Sequence, residues 1–63
     1  MNDLPNPDKK DILIIDDTAD NLRILSSILV REGYTVRKAL NWQMAFTACQ
    51  TQLPDLILLD IMI

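Results

Sequence analysis

The chain has 63 residues, 49% of them hydrophobic, and a net charge of −3. A chain of this size forms at most one small domain and buries only about 60% of the surface that its unfolded form exposes. It has no histidine and one cysteine, Cys49, which excludes an internal disulfide and a structural zinc site. We therefore expect association to supply additional stability.

Charge and hydropathy exclude two further classes of partner. The six Lys and Arg residues are scattered rather than gathered in a basic stripe, so we expect no nucleic-acid binding by this segment. No apolar run approaches the roughly 20 residues of a membrane helix, and the N-terminal segment MNDLPNPDKK lacks the apolar core of a signal peptide. We expect no membrane association and a reduced, cytoplasmic location.

The first predicted elements are a lead-in, a strand and a helix. Residues 1–10 are polar, carry two prolines and are predicted to be a flexible N-terminal lead-in. Residues 11–16 contain a continuous aliphatic run, which is typical of a central parallel strand buried on both faces. A helix is predicted from Thr18 to Glu32, capped by Thr18 or Asp20 and ended by Gly33 in the left-handed conformation. Its core-facing stripe is predicted to be Leu22, Leu25, Ile28 and Leu29.

The second half of the chain predicts another strand, a helix and a third strand. Residues 34–40 alternate polar and apolar side chains, which favours an edge strand. Asn41 is predicted to cap a helix that runs to about Gln52 and ends before Pro54. Its predicted apolar face is Met44, Ala45, Ala48 and Cys49. Residues 55–60 form the third predicted strand, with residues 61–63 as an overhang.

The element order βαβαβ predicts an α/β fold with a parallel sheet of strand order 2-1-3 and one helix on each face. The first and third strands are then neighbours, and both end in carboxylates. Asp16, Asp17 and Asp60 would therefore converge at the carboxyl edge of the sheet, where open α/β sheets bind ligands. Such a cluster repels itself unless a cation or a proton compensates it.

These residues resemble the N-terminal half of a response-regulator receiver domain, the phosphoacceptor module of two-component signalling, with a flavodoxin-like doubly wound sheet. The resemblance covers residues 11–63, and its ordered pieces, quoted in sequence, are IIDD (14–17), Asn21 and Leu22, Leu25, Leu29, REGYTV (31–36), Ala39, Ala45 and PDLILLDIM (54–62).

The resemblance implies a role for each residue at the carboxyl edge. Asp60 would accept a phosphoryl group from a phosphohistidine on a sensor histidine kinase or a phosphotransfer protein. Asp17 would bind Mg²⁺ directly, Asp16 would act mainly through water, and the backbone carbonyl of Met62 would complete the protein ligands. Mg²⁺ prefers such oxygen ligands and keeps several waters. The resemblance implies a signalling module rather than an enzyme, and it assigns no catalytic residue to the chain.

Departures from the family pattern lead to two readings. The family uses a later hydroxyl residue and a later Lys to contact the phosphoryl group, and neither follows Asp60 in these 63 residues. We therefore expect a truncated receiver domain over residues 11–63 that binds Mg²⁺ weakly and does not switch. The alternative is a self-assembling βαβαβ half-domain without phosphotransfer. In both readings we expect a homo-oligomer that forms through the edge strand, residues 55–63.

The remaining side chains are assigned expected roles, and for Trp42 two interpretations are left open. Trp42 stands where the family usually has a small Gly, and it either lies over the second helix or anchors a partner. Cys49 is predicted to be an inert buried thiol, and Met44, Phe46 and Met62 are predicted to be packing residues. Asp55 is expected on the solvent side, at the opposite edge of the sheet from Asp60. A nucleotide-binding loop is excluded because the chain has one Gly.

Overall fold

The computed structural model of the chain describes residues 9–60. Its elements follow one another as β1 (Asp11–Asp16), α1 (Ala19–Arg31), β2 (Thr35–Ala39), α2 (Trp42–Thr51) and β3 (Leu56–Asp60). All strand pairs are parallel, and the strand order is β2-β1-β3. The predicted βαβαβ arrangement of a flavodoxin-like sheet is therefore confirmed. The predictions for residues 1–8 and 61–63 lie outside the described residues.

The central strand β1 is buried at all six positions. Ile12 and Ile14 pack on one face against Leu22 of α1. Leu13 and Ile15 pack on the other face against Ala39 and Ala45, the latter from α2. Because each face of β1 meets a different helix, both sets of alternating side chains must be apolar, which explains the unbroken aliphatic run.

Helix α1 begins after Thr18, which occupies the N-cap position without a side-chain capping bond, whereas Asp20 lies in the first turn. The predicted stripe is correct for Leu22, Leu25 and Leu29, which pack against the sheet. It is wrong for Ile28, which is 53% exposed. Six residues beyond Leu22 correspond to a rotation of about 120° around the helix, so Ile28 points away from the core.

Gly33 ends α1 as predicted. Its φ of +96° lies in the left-handed region. The amide of Gly33 donates to the carbonyl of Val30 at 3.0 Å, and the amide of Tyr34 donates to the carbonyl of Leu29 at 3.1 Å. This is the hydrogen-bond pair of a Schellman motif, and it turns the chain directly into β2.

Helix α2 is capped by Asn41, whose side chain accepts a hydrogen bond from the amide of Met44 at 2.9 Å, as predicted. Ala45 is buried, and Ala48 and Cys49 pack against the same core. Met44 and Phe46 are not packing residues, since they are 47% and 66% exposed. The helix contacts β1 and β2 but not β3, so only a narrow strip of its surface is covered.

A polar network at the amino edge of the sheet was not predicted. Asp11 is 7% exposed and accepts hydrogen bonds from Nε and Nη2 of Arg37 at 3.2 and 2.8 Å. Arg37 also donates to the carbonyls of Ala48 and Gln52, both at 2.8 Å. The amide of Asp11 donates to Oδ2 of Asp55 at 2.7 Å. Arg37 thus connects β1, β2 and the last turn of α2, and Asp55 ties the start of β3 to β1.

Candidate functional site

The carboxyl edge of the sheet is formed where β1 and β3 end side by side. Asp16 and Asp60 are register partners in this parallel pair, and neighbouring strands lie about 4.8 Å apart. Asp17 follows Asp16 directly. The backbone therefore places the three predicted carboxylates at one edge, on two adjacent strand ends.

Asp16 is the buried member of this group, with 1% of its surface exposed. Its Oδ1 accepts a hydrogen bond from the amide of Thr18 at 2.9 Å. Its Oδ2 is also buried and has no hydrogen-bond partner in the structure. A buried carboxylate oxygen without a donor is costly, so this position favours a ligand that supplies positive charge.

Asp17 and Asp60 are both exposed at the same edge. Oδ1 of Asp17 accepts a hydrogen bond from the Thr18 hydroxyl at 3.3 Å. The ion pairs found among residues 9–60 join Arg23 to Asp20 and Arg37 to Asp11, so neither of them neutralises this edge. The two exposed carboxylates are accessible to a cation or to a phosphodonor from solvent.

The donor chemistry fits Mg²⁺, which is bound in proteins by carboxylate and carbonyl oxygens. The orphaned Oδ2 of Asp16 is the observation that supports this fit. Within residues 9–60, however, no three His, Cys, Asp or Glu side chains are gathered as a ligand group. Met62 lies outside the described residues. The ligand set Asp16, Asp17, Asp60 and Met62 therefore stays a prediction.

A hollow of about 310 Å³ lies beside this edge, between the first turns of α1 and α2. Leu22 and Leu40 contribute apolar surface, and Arg23 and Lys38 contribute basic groups. Lys38 is level with Ile14 in the β1–β2 register. The sequence analysis did not predict this hollow. The feature that could have indicated it is Lys38, a basic residue one position before the end of β2.

Comparisons with known proteins agree with the geometry. The family model described as "Response regulator receiver domain" matches residues 12–63. The chain is 41% identical over 51 residues to "Response regulator PleD" of Caulobacter vibrioides, a match that covers 81% of this chain and 11% of PleD. It is 39% identical over 54 residues to "Alkaline phosphatase synthesis transcriptional regulatory protein PhoP" of Bacillus subtilis, covering 86% of this chain and 22% of PhoP.

The chain belongs to the response regulator receiver domain family. It spans about a tenth to about a fifth of the length of these curated relatives. No solved structure gives a significant match. Over the part of the chain that the structure describes, neither helix is long and apolar enough to cross a membrane.

Proposed function

We propose that the chain is a phosphoacceptor receiver module and that Asp60 receives the phosphoryl group. The observation that carries the proposal is the pairing of Asp60 with Asp16 at the ends of neighbouring strands, where Asp16 holds a buried, unpartnered carboxylate oxygen. Family membership adds that an aspartate at the end of the third strand is the acceptor in receiver domains.

Asp60 is the nucleophile in this proposal. One of its carboxylate oxygens attacks the phosphorus of a donor phosphohistidine, so a P–O bond forms while the donor's P–N bond breaks. The imidazole leaves with the electron pair of that bond and takes up a proton. The exposure of Asp60 suits this reaction because the donor histidine belongs to another protein.

Asp16 and Asp17 would hold Mg²⁺ together with Asp60 and the carbonyl of Met62. Bound there, Mg²⁺ would neutralise the acidic cluster and the oxygens of the incoming phosphoryl group. Asp17, which is exposed, is suited to direct coordination, whereas Asp16 is held by the amide of Thr18 and offers only its second oxygen. We propose a weak site, since none of the described side chains completes a ligand group.

The proposed partner is a sensor histidine kinase or a phosphotransfer protein. The support is family membership together with the similarity to "Response regulator PleD". The module accepts a group that its partner supplies, and we therefore propose no enzymatic activity of its own. We propose residues 11–63 as the receiver unit, which corresponds closely to the matched range of 12–63.

We propose that the acyl phosphate on Asp60 is short-lived, because Asp60 is exposed and water can reach it.

A second candidate function is self-assembly without phosphotransfer. The observation that favours it is the position of β3 at the edge of the sheet. Leu56, Ile57 and Leu59 are 51%, 46% and 54% exposed, and an apolar edge strand is a template for pairing with another chain. In this candidate, residues 55–63 of two copies pair about a two-fold axis.

The experiment that tests the first candidate is phosphorylation by a small phosphodonor with Mg²⁺, followed by rapid reduction with borohydride. Reduction converts an acyl phosphate to an alcohol and so marks the modified aspartate for peptide mass spectrometry. We expect a small fraction of the chain to carry the mark, at Asp60 alone, with loss of the mark in Asp60→Asn. Asp55→Asn is the matched control, because Asp55 immediately precedes the same strand, at the opposite edge of the sheet.

Two outcomes would contradict the proposal. One is marking that is unchanged in Asp60→Asn or that occurs mainly at other aspartates. The other is a stable, near-stoichiometric phosphoryl group on Asp60, which would refute the transient acyl phosphate. Complete absence of marking, in a folded chain that self-associates, favours the second candidate.

A further inference from the structure

Thr18 connects the two acidic residues at the end of β1 to the start of helix α1. Its backbone amide donates to Oδ1 of Asp16 at 2.9 Å, and its hydroxyl donates to Oδ1 of Asp17 at 3.3 Å. Its carbonyl accepts a hydrogen bond from the amide of Leu22 at 3.1 Å, which is the first hydrogen bond of the helix. One residue therefore contacts both carboxylates and begins the helix that follows them.

The hydroxyl of Thr18 does not cap the helix. A Thr at the N-cap usually accepts a hydrogen bond, through its side-chain oxygen, from the amide of the second or third helical residue. Thr18 has the extended backbone of an N-cap, with φ −111° and ψ 117°, but its side chain makes no capping bond. The hydroxyl contacts Asp17 instead, so its orientation serves the carboxylate rather than the helix.

The two hydrogen bonds from Thr18 leave one oxygen of each carboxylate for a cation. Asp16 is almost completely buried, and its Oδ2 has no hydrogen-bond partner in the structure. Asp17 is exposed and is held through Oδ1, so its Oδ2 is the oxygen left for coordination. The buried, unpartnered oxygen of Asp16 is an independent observation that points to a positively charged ligand beside these residues.

We propose that Thr18 is a positioning residue for the cation site and that its hydroxyl holds the side chain of Asp17 in the conformation that coordinates the cation. An exposed carboxylate otherwise samples several rotamers, and fixing one of them in advance lowers the entropic cost of binding. Hydrogen bonds to ligating side chains orient them in this way in other metal sites. The inference rests on the proposed function, because it takes Asp17 as a direct ligand of Mg²⁺.

Orientation outweighs the electronic effect of this hydrogen bond. A donor withdraws electron density from the carboxylate of Asp17, which by itself would weaken coordination. Asp17 is exposed, however, and water takes the place of the hydroxyl as a donor when the hydroxyl is removed. The electron density on the carboxylate then changes little, whereas its defined orientation is lost. Loss of such a hydrogen bond typically lowers metal affinity about 10–100-fold, and we expect the lower end for an exposed bond.

Titration with Mn²⁺, which prefers the same oxygen ligands as Mg²⁺, tests the proposal when binding is followed by the relaxation of water protons. Thr18→Val removes the hydroxyl but keeps the β-branched shape and the backbone amide that binds Asp16, whereas Thr18→Ser keeps the hydroxyl. We expect Thr18→Val to weaken Mn²⁺ binding about tenfold and Thr18→Ser to bind like the wild type. In an Asp17→Ala background, Thr18→Val should not weaken the residual binding further, because the hydroxyl acts through Asp17.

Stability distinguishes positioning from a structural role. Because the hydroxyl makes no capping bond, Thr18→Val should keep the urea midpoint of the wild type in the presence of a chelator. A lower midpoint together with unchanged Mn²⁺ affinity would assign Thr18 to the fold and overturn the proposal. Equal weakening of Mn²⁺ binding by Thr18→Val and Thr18→Ser would also overturn it, since the hydroxyl would then not be the cause.

The failure of this inference can be told apart from the failure of the proposed function. If the wild type binds Mn²⁺ and Asp17→Ala binds it more weakly, unchanged binding by Thr18→Val overturns the role of Thr18 and leaves the cation site intact. If the wild type binds no Mn²⁺ at the carboxyl edge, the cation site itself is wrong, and the positioning role is overturned with it.

Discussion

Asp16 has one carboxylate oxygen bonded to the amide of Thr18 and the other buried without a partner. A side chain selected for stability alone would not leave such a group unsatisfied. Functional sites commonly contain residues that lower stability. The burial of Asp16 is therefore consistent with a position kept for binding a cation rather than for the fold.

We predict that Asp16→Asn stabilises the chain in the presence of a chelator. The amide side chain keeps an oxygen for Thr18 and removes a buried negative charge, so the free energy of unfolding should rise by about 1–3 kcal/mol. Urea denaturation measures the difference. Asp20→Asn is the control, because the side chain of Asp20 is 79% exposed and its ion pair with Arg23 lies on the surface of α1. A destabilised Asp16→Asn variant would show that the carboxylate serves the fold.

The positions of the site residues could be predicted from the sequence, whereas some contacts and exposures of individual side chains could not. The positions of Asp16 and Asp60 follow from the ends of two apolar runs, since parallel strands end at one edge. The contact between Arg37 and Asp11 joins residues 26 positions apart, and no local pattern indicates such a contact. The exposure of Phe46 was also missed, because it depends on which strands α2 covers.

The helices and strands follow local chemistry closely. Asn41 caps α2 with its side chain, and Gly33 ends α1 at a positive φ. Thr18 fills the N-cap position by backbone conformation alone, which shows that residue type predicts a cap position better than it predicts the capping bond. Element order and strand order were predictable, because the two crossovers allow few arrangements.

We predict that Gly33→Ala destabilises the chain by about 1–2 kcal/mol, since a Cβ is disfavoured in the left-handed region. Contact with the rest of the described structure cannot be the cause, because nothing beyond Gly33 and its two chain neighbours lies within 4 Å of the position that a Cβ would occupy. The measurement is chemical denaturation followed by circular dichroism. Ser27→Ala, at an exposed position inside α1, is the control and should be neutral or slightly stabilising. Equal stability of Gly33→Ala and the wild type would exclude a conformational role for this glycine.

At the scale of the whole molecule, the two edges of the sheet differ in charge compensation. The amino edge holds Asp11 and Asp55, and Arg37 pairs with Asp11 there. The carboxyl edge holds Asp16, Asp17 and Asp60, and neither ion pair of the described residues reaches it. The amino edge thus contains an ion-paired carboxylate, whereas the three carboxylates of the carboxyl edge take part in neither ion pair of the described residues. We propose to assign cation and phosphoryl chemistry to the carboxyl edge.

Paramagnetic broadening of backbone amide signals by Mn²⁺, which has oxygen-ligand preferences similar to those of Mg²⁺, tests this assignment most directly. Both acidic edges are present in one molecule, so the amino edge serves as an internal control. We predict that substoichiometric Mn²⁺ broadens the signals of Asp16, Asp17 and Asp60 first, that Mg²⁺ reverses the effect, and that Asp17→Asn weakens it. Broadening that centres on Asp11 and Asp55, or that is identical in Asp17→Asn, would contradict the account.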